Sequence, residues 1–341
     1  MLHFDAVVAD THNDLLMAVA ARPPRNWAGY FRDTWLPQLT EGGVNLQVLP
    51  VFIDDWYRPE GALRQTLRMI EAAHVIAAEV GEVRLCLDGA EIDGALADGK
   101  IALVLALESM PGLDASVELI PTLHRLGVRV ASIAHWGRTP LADGSGEDAT
   151  GSRLTAAGVE ALEIMEELGI VFDVSHLGAS GVAHVLERAR RPVMATHSSA
   201  RALLDHHRNL TDDQLRGVAA TGGVICVNFL PAFLTEHPRK VTVDDLVDHI
   251  AHIASVAGID HVGLGPDFIR EVLADLTPPC CETNGTTGLD VDAVIPGLDG
   301  PRGLPLVTEA LEKHGFSPDE IRLILGGNVL RLFRAELGVR R

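Results

Sequence analysis

Ala6-Val7-Val8-Ala9-Asp10-Thr11-His12-Asn13-Asp14 passes from a short β-branched and aliphatic run into a cluster of polar, metal-ligating side chains. A run of this length and composition suits a strand buried on both faces. His12 and Asp14 sit two residues apart on an extended segment, so their side chains project to one side and can chelate a single ion. The same alternation of apolar run and polar end recurs along the chain. Runs at 6–9, 44–51, 101–107, 128–134, 170–174, 193–196, 223–229 and 261–265 give eight expected strands. Between them, amphipathic stretches at 62–80, 155–168, 179–189, 212–220 and 243–257 have the length of crossover helices.

Local signals support these helices. Thr211 precedes the acidic pair Asp212-Asp213 as an N-cap, Gly169 supplies a C-terminal stop, and Ser317-Pro318-Asp319-Glu320 opens a last helix that runs to about Leu337. No linker rich in Ser, Pro or Gly divides the chain. The expectation is an α/β protein, a (β/α)8 TIM-type barrel occupying residues 1–341 as a single domain.

In such a barrel the C-terminal ends of all strands point to one face, so residues remote in sequence become neighbours. The third run ends at Glu108, the fourth at His135, the fifth at Asp173-Val174-Ser175-His176, the sixth at His197 and the eighth at Asp267. Each alone is an ordinary core or surface residue. Together, His12, Asp14, Glu108, His176 and His197 form a metal-ligand set. Imidazole and carboxylate without thiolate suit zinc, and equally manganese, cobalt or iron. Five ligands exceed what one tetrahedral zinc with an open water position uses, so two ions are expected, with the two oxygens of Glu108 bridging them.

Composition narrows the partners. Lys and Arg number 28 against 47 Asp and Glu, a formal net charge of -19, which opposes nucleic-acid backbones and anionic membranes. The longest apolar stretches are too short to span a bilayer, and no signal peptide or hydrophobic anchor is visible. Cys86, Cys226, Cys280 and Cys281 form no metal-spaced array or disulfide framework, which fits a reducing cytoplasm. The segment 278–305, rich in Gly, Pro, Asp and Thr, follows the eighth run and reads as a lid or a flexible connector. A homodimer through the barrel exterior is compatible with the sequence, although no patch marks one.

The chain resembles the renal, or membrane, dipeptidase family of zinc peptidases within the amidohydrolase superfamily. The likeness rests on Asp10-Thr11-His12-Asn13-Asp14-Leu15, Glu108, Asp173-Val174-Ser175-His176, Thr196-His197-Ser198-Ser199-Ala200, His207-Arg208-Asn209-Leu210, Gly265-Pro266-Asp267-Phe268 and Gly326-Gly327-Asn328-Val329-Leu330-Arg331, in the family's order. It implies two zinc ions per chain, one held by His12, Asp14 and Glu108, the other by Glu108, His176 and His197. It implies hydrolysis of dipeptides, including L-Xaa-D-Xaa as well as L,L, by attack of a metal-bridging hydroxide. By the same resemblance Asp267 is the proton shuttle, His135 hydrogen-bonds the developing oxyanion, and Arg208 holds the dipeptide's free carboxylate.

The sequence departs from the family pattern at His135-Trp136-Gly137-Arg138, where Arg138 offers a second anion contact in place of an Asn. It departs again at Gly265-Pro266-Asp267-Phe268-Ile269-Arg270, where the family reads Gly-Ser-Asp-Phe-Asp-Gly. Two other readings are compatible with the residues: a related reaction on a lactone or an N-acyl amino acid, and a catalytically silent barrel acting as a binding module.

Overall fold

The computed structural model describes residues 2–53, 57–59, 61–274, 276 and 289–338. Its strands are β1 (Val8–Asp10), β2 (Val44–Val51), β3 (Val83–Leu85), β4 (Ile101–Leu107), β5 (Val128–Ala131), β6 (Val171–Phe172), β7 (Met194–Ala195), β8 (Val224–Asn228) and β9 (Val262–Gly265). Six pair in parallel, in the order β1-β2-β4-β5-β6 with β3 also on β4, and the other three in the order β7-β8-β9. A parallel bridge between Asp173 and Met194 joins β6 to β7. The Thr11 amide, donating to the Leu264 carbonyl at 3.2 Å, carries β9 back to β1. The result is the expected TIM-type barrel.

β3 is an addition that the sequence did not announce. It pairs with Ile101–Leu103, while β5 takes the same edge of β4 from Leu105 onward. Three residues with Arg84 at the centre carry too little apolar pattern to be read as a strand. The expected runs 44–51 and 101–107 coincide with β2 and β4, most of the others extend beyond the observed strands, and β6 and β7 are only two residues each. A short helix, Leu2–Asp5, precedes the first expected run, whose strand is observed at Val8–Asp10.

β4 explains the core. Ala102, Val104 and Ala106 belong to the cluster that takes residues from nearly every barrel strand, whereas Leu103, Leu105 and Leu107 belong to the cluster shared with the outer helices. A period of two with both faces buried gives the near-continuous apolar run. Val329, Leu332 and Phe333 of the last helix extend the interior cluster. That helix, expected as one piece, is broken into Pro318–Arg322, a π turn Leu323–Gly327 and Asn328–Glu336. The break falls at Gly326, whose backbone is non-helical, with φ 179° and ψ -12°, and a Cβ there would stand 2.5 Å from the Val7 carbonyl oxygen. The expected caps are present, as Thr211 and Ser317 each form a capping box and Gly169 is left-handed.

Of the segment 278–305, residues 278–288 lie outside the described residues. Pro301–Gly303 forms a 3-10 turn leading into a helix Leu304–Lys313. Among the described residues no helix is long and apolar enough to cross a membrane.

Candidate metal centre and substrate cleft

The expected ligands follow the C-terminal ends of β1, β4, β6 and β7, and the barrel brings them together around Glu108. Its Oε1 lies 2.8 Å from His176 Nε2, 3.6 Å from His135 Nε2 and 3.7 Å from His197 Nε2. Its Oε2 lies 3.6 Å from His12 Nε2, which is 3.8 Å from Asp14 Oδ2. Three overlapping groups each bring their ligand atoms within 4.8 Å of one another: His12, Glu108 and His197; Glu108, His135 and His176; His12, Asp14 and Asp267. His135 and Asp267, expected to act on substrate, therefore lie as close to the centre as the expected ligands.

Backbone geometry marks the same positions. His176 and Asp267 have φ of 69° and 57°, and Ser109, next to Glu108, has 66°. Non-glycine residues adopt this region at a cost and cluster at functional sites. Here the surroundings hold them: Asp267 N–H donates to His12 O at 2.9 Å, Ser145 N–H to His176 O at 2.6 Å, and Ser109 N–H to Ser132 Oγ at 2.8 Å.

The field of the site demands positive charge. Burial pushes His12 down, but Glu108, Asp14 and Asp267 outweigh it and hold the imidazole at about 10. Burial would raise Glu108, yet His12, His176 and His135 keep it well below the usual carboxylate range. His176 and His197 are pushed well below an ordinary histidine, first by burial and then by neighbouring cations including Arg208. Their Nε2 atoms are 2.8 Å apart. The neutral imidazole nitrogens of His176 and His197, the ionised Glu108 carboxylate and a field that favours a cation at His12 fit divalent cations, whose binding would displace the His12 proton.

Arg208 is 3% exposed and donates through Nη2 to the His197 carbonyl at 3.1 Å and towards His176 Nε2 at 3.2 Å. Its loop is stitched down by Arg201, which donates to the carbonyls of His206, His207 and Asn209. Asn209 in turn donates to the carbonyls of Leu204 and Phe233. These two holding roles were not legible, since Arg201 and Asn209 act on carbonyls that come together only when the loop folds back. Asn228 was missed as well. It ends β8, gives an amide hydrogen to Asp267 Oδ2 at 2.9 Å and accepts from Leu230 N–H at 2.6 Å. Burial raises the pKa of Asp267, which suits a proton acceptor. His135 is lowered to about 4 by burial, so it stands neutral near pH 7.

Arg138 departs from the expectation of a second anion contact. Its guanidinium is committed to Asp143 through two bonds of 2.6 and 2.9 Å. Asp143 also accepts from Thr150, which fixes the acceptor. The cleft over the centre is lined by Asp14, Glu108, His135, His176, Arg208 and Asp267, and otherwise by apolar and aromatic side chains.

Known proteins resemble the chain in sequence and in fold. The membrane dipeptidase (peptidase family M19) model matches residues 1–278. An uncharacterized dipeptidase of Schizosaccharomyces pombe is 30% identical over 96% of this chain and 80% of its own length. Dipeptidase tcpJ of Claviceps purpurea is 30% identical over 69% of this chain, which spans about half of that relative. Among solved structures, a dipeptidase described as a metallopeptidase of family M19 superposes with a TM-score of 0.85 at 25% identity, covering 98% of this chain and 99% of that one. A metallopeptidase from Rhodobacter sphaeroides, liganded with a phosphinate mimic of L-Ala-D-Ala, shares the fold with a TM-score of 0.83 at 24% identity over 97% and 99% of the two chains. On the family match and on the 30% identity over nearly the whole chain, the protein belongs to the membrane dipeptidase family, peptidase family M19.

Proposed function

We propose that the chain is a zinc-dependent dipeptidase of the cytoplasm, hydrolysing the peptide bond of L,L and L,D dipeptides at a two-ion centre. His12 and Asp14 would hold one ion and His176 and His197 the other, with Glu108 shared between them. Bound zinc would supply Lewis acidity and lower the pKa of water. The observation that carries the reading is the placement of buried Arg208 beside His176, so that a carboxylate anchor adjoins the ligand cluster.

The chain's own groups divide the remaining work. Arg208 pairs with the free carboxylate of the substrate and sets the scissile carbonyl over Glu108. Neutral His135 donates a hydrogen bond to the carbonyl oxygen as negative charge develops on it. Asp267, steadied by Asn228, accepts a proton from the attacking water and returns it to the leaving amine. The apolar lining of the cleft keeps bulk water away and strengthens each of these interactions.

An N-acyl amino acid presents the same carboxylate to Arg208, so deacylation is the second reading. The test is turnover by the zinc-restored protein on a panel of L,L dipeptides, L,D dipeptides and their N-acetyl counterparts. Release of free amino acids from the unblocked compounds supports the proposal. Cleavage confined to the acylated compounds moves the assignment to the second reading, and no cleavage at all favours a silent barrel.

A further inference from the structure

The residues that line the cleft without a part in the proposed chemistry form an aliphatic wall, Met17, Ile269, Leu273 and Leu289, and an aromatic wall, Phe52, Trp136 and Phe233; Leu230 joins the first through Asn228, which holds Asp267. Local structure fixes the first wall. Met17 lies in the first turn of the helix Leu15–Ala20, which starts immediately after Asp14. Ile269 and Leu273 are four residues apart on the helix Ile269–Ala274, which starts two residues after Asp267, so they share a helix face. The aliphatic wall is therefore tied to the Asp14 and Asp267 side of the centre.

Arg208 stands with the aromatic wall. Its guanidinium carbon sits 5.4 Å from the centre of the Phe233 ring, and His206 and His207 link Phe233 to Trp136 through ring contacts of 4.9, 4.4 and 4.6 Å. A dipeptide with its carboxylate on Arg208 thus begins against the aromatic wall. With the scissile carbonyl over Glu108 as proposed, its amino-terminal residue would extend towards the aliphatic wall.

We infer that this aliphatic wall selects dipeptides whose amino-terminal residue carries an uncharged aliphatic side chain, with Ile269 the main determinant; the inference rests on the dipeptidase reading. Among the described lining residues, every charged side chain belongs to the proposed ligand, carboxylate-binding or proton-transfer groups. A lysine or glutamate side chain entering here loses water and finds only charges that the proposed chemistry already engages, which raises its energy in the bound state. An aliphatic side chain loses only unfavourable contact with water.

The test measures kcat/KM of the zinc-restored protein on Leu-Ala, Met-Ala, Lys-Ala and Glu-Ala. Leu-Ala and Met-Ala should exceed both charged substrates by at least about tenfold, the scale on which pocket contacts discriminate side chains. Ile269→Asp should then raise Lys-Ala relative to Leu-Ala, and Ile269→Lys should raise Glu-Ala relative to Leu-Ala. A merely structural effect would lower all four substrates together. Should Ile269 variants not fold, Leu273→Asp and Leu273→Lys, one turn along the same helix face, carry the same two expectations. Charged substrates turned over within threefold of Leu-Ala, or variants that fail to invert the preference, overturn the selectivity and leave the dipeptidase reading standing. No turnover on any dipeptide overturns both.

Discussion

The Nδ1 of His197 lies 2.8 Å from the Oγ1 of Thr196, and the direction of that hydrogen bond is fixed by a third residue. The single hydroxyl hydrogen of Thr196 is given to Asp173 Oδ2 at 2.6 Å. Thr196 Oγ1 must then accept from His197, so Nδ1 carries the hydrogen and Nε2 presents its lone pair to Glu108 and His176. Asp173 is itself held by the backbone N–H groups of Ser175 and Thr196 at 2.9 and 3.0 Å. Such partners fix the tautomer and ring orientation of a metal-binding histidine. For the ligand role proposed for His197, Thr196→Val should weaken zinc binding by about 10- to 100-fold in a chelator competition, the usual cost of losing such a partner. Thr196→Ser, which keeps the hydroxyl, should stay near the parent affinity. Equal affinity in the Val variant would contradict the orientation argument.

Asp267 carries the proposed proton transfer. Replacing it with Asn should reduce kcat by roughly 10²- to 10⁴-fold, as for other general acid–base groups, with zinc content unchanged. The base form is lost as pH falls through the pKa of this group, and burial raises that pKa above the ordinary value of 3.8. The acid limb of kcat/KM should therefore lie above that value and vanish in the variant's residual activity. Loss of zinc together with loss of rate would instead make Asp267 a ligand, in keeping with its place beside His12 and Asp14.

Arg208 should matter only to substrates that carry a free carboxylate. Arg208→Ala is expected to raise KM for a dipeptide by at least about tenfold, the loss of a buried charge-assisted pair. The corresponding dipeptide amide should respond much less. If both substrates suffer alike, the guanidinium serves His197 and its loop, through the bond to the His197 carbonyl, and the carboxylate is held elsewhere.

Gly326 tests the packing beneath the site. A Cβ there meets the Val7 carbonyl oxygen at 2.5 Å and the Ala9 amide nitrogen at 3.0 Å, so Gly326→Ala must displace β1 or the π turn. A loss of about 1–3 kcal/mol in unfolding free energy is expected, the scale of overpacking in a core. Chemical denaturation measures it, and an unchanged midpoint would mean that the turn yields without resistance.

Much of the barrel and its site is legible because buried parallel strands write themselves as apolar runs, and a polar residue that ends such a run stands out. Glu108 after Ile101–Leu107 and His197 after 193–196 are visible in this way. Asn228 is not, because an amide at the end of a run carries no acid–base or metal-binding signal until the fold brings Asp267 beside it. The helices Leu15–Ala20, Trp27–Tyr30 and Leu36–Glu41 also escape the reading. Leu15–Ala20 is too short to develop a helical period and is followed by Pro23 and Pro24, while Trp27–Tyr30 and Leu36–Glu41 are joined by a π turn, Phe31–Trp35, that shifts the period between them. Arg138 shows the reverse error: a cation near the site suggests an anion contact, but its partner Asp143 lies five residues on and is revealed only when the loop closes on itself.

The proposed two-ion dipeptidase is tested most directly by titrating the metal-free protein with zinc and following free amino acid released from Leu-Ala. Activity should rise to a plateau at about two ions per chain, the number the bridged ligand set is built to hold. A plateau at one ion would contradict the shared role of Glu108, and no amino acid released at any ratio would contradict the dipeptidase itself.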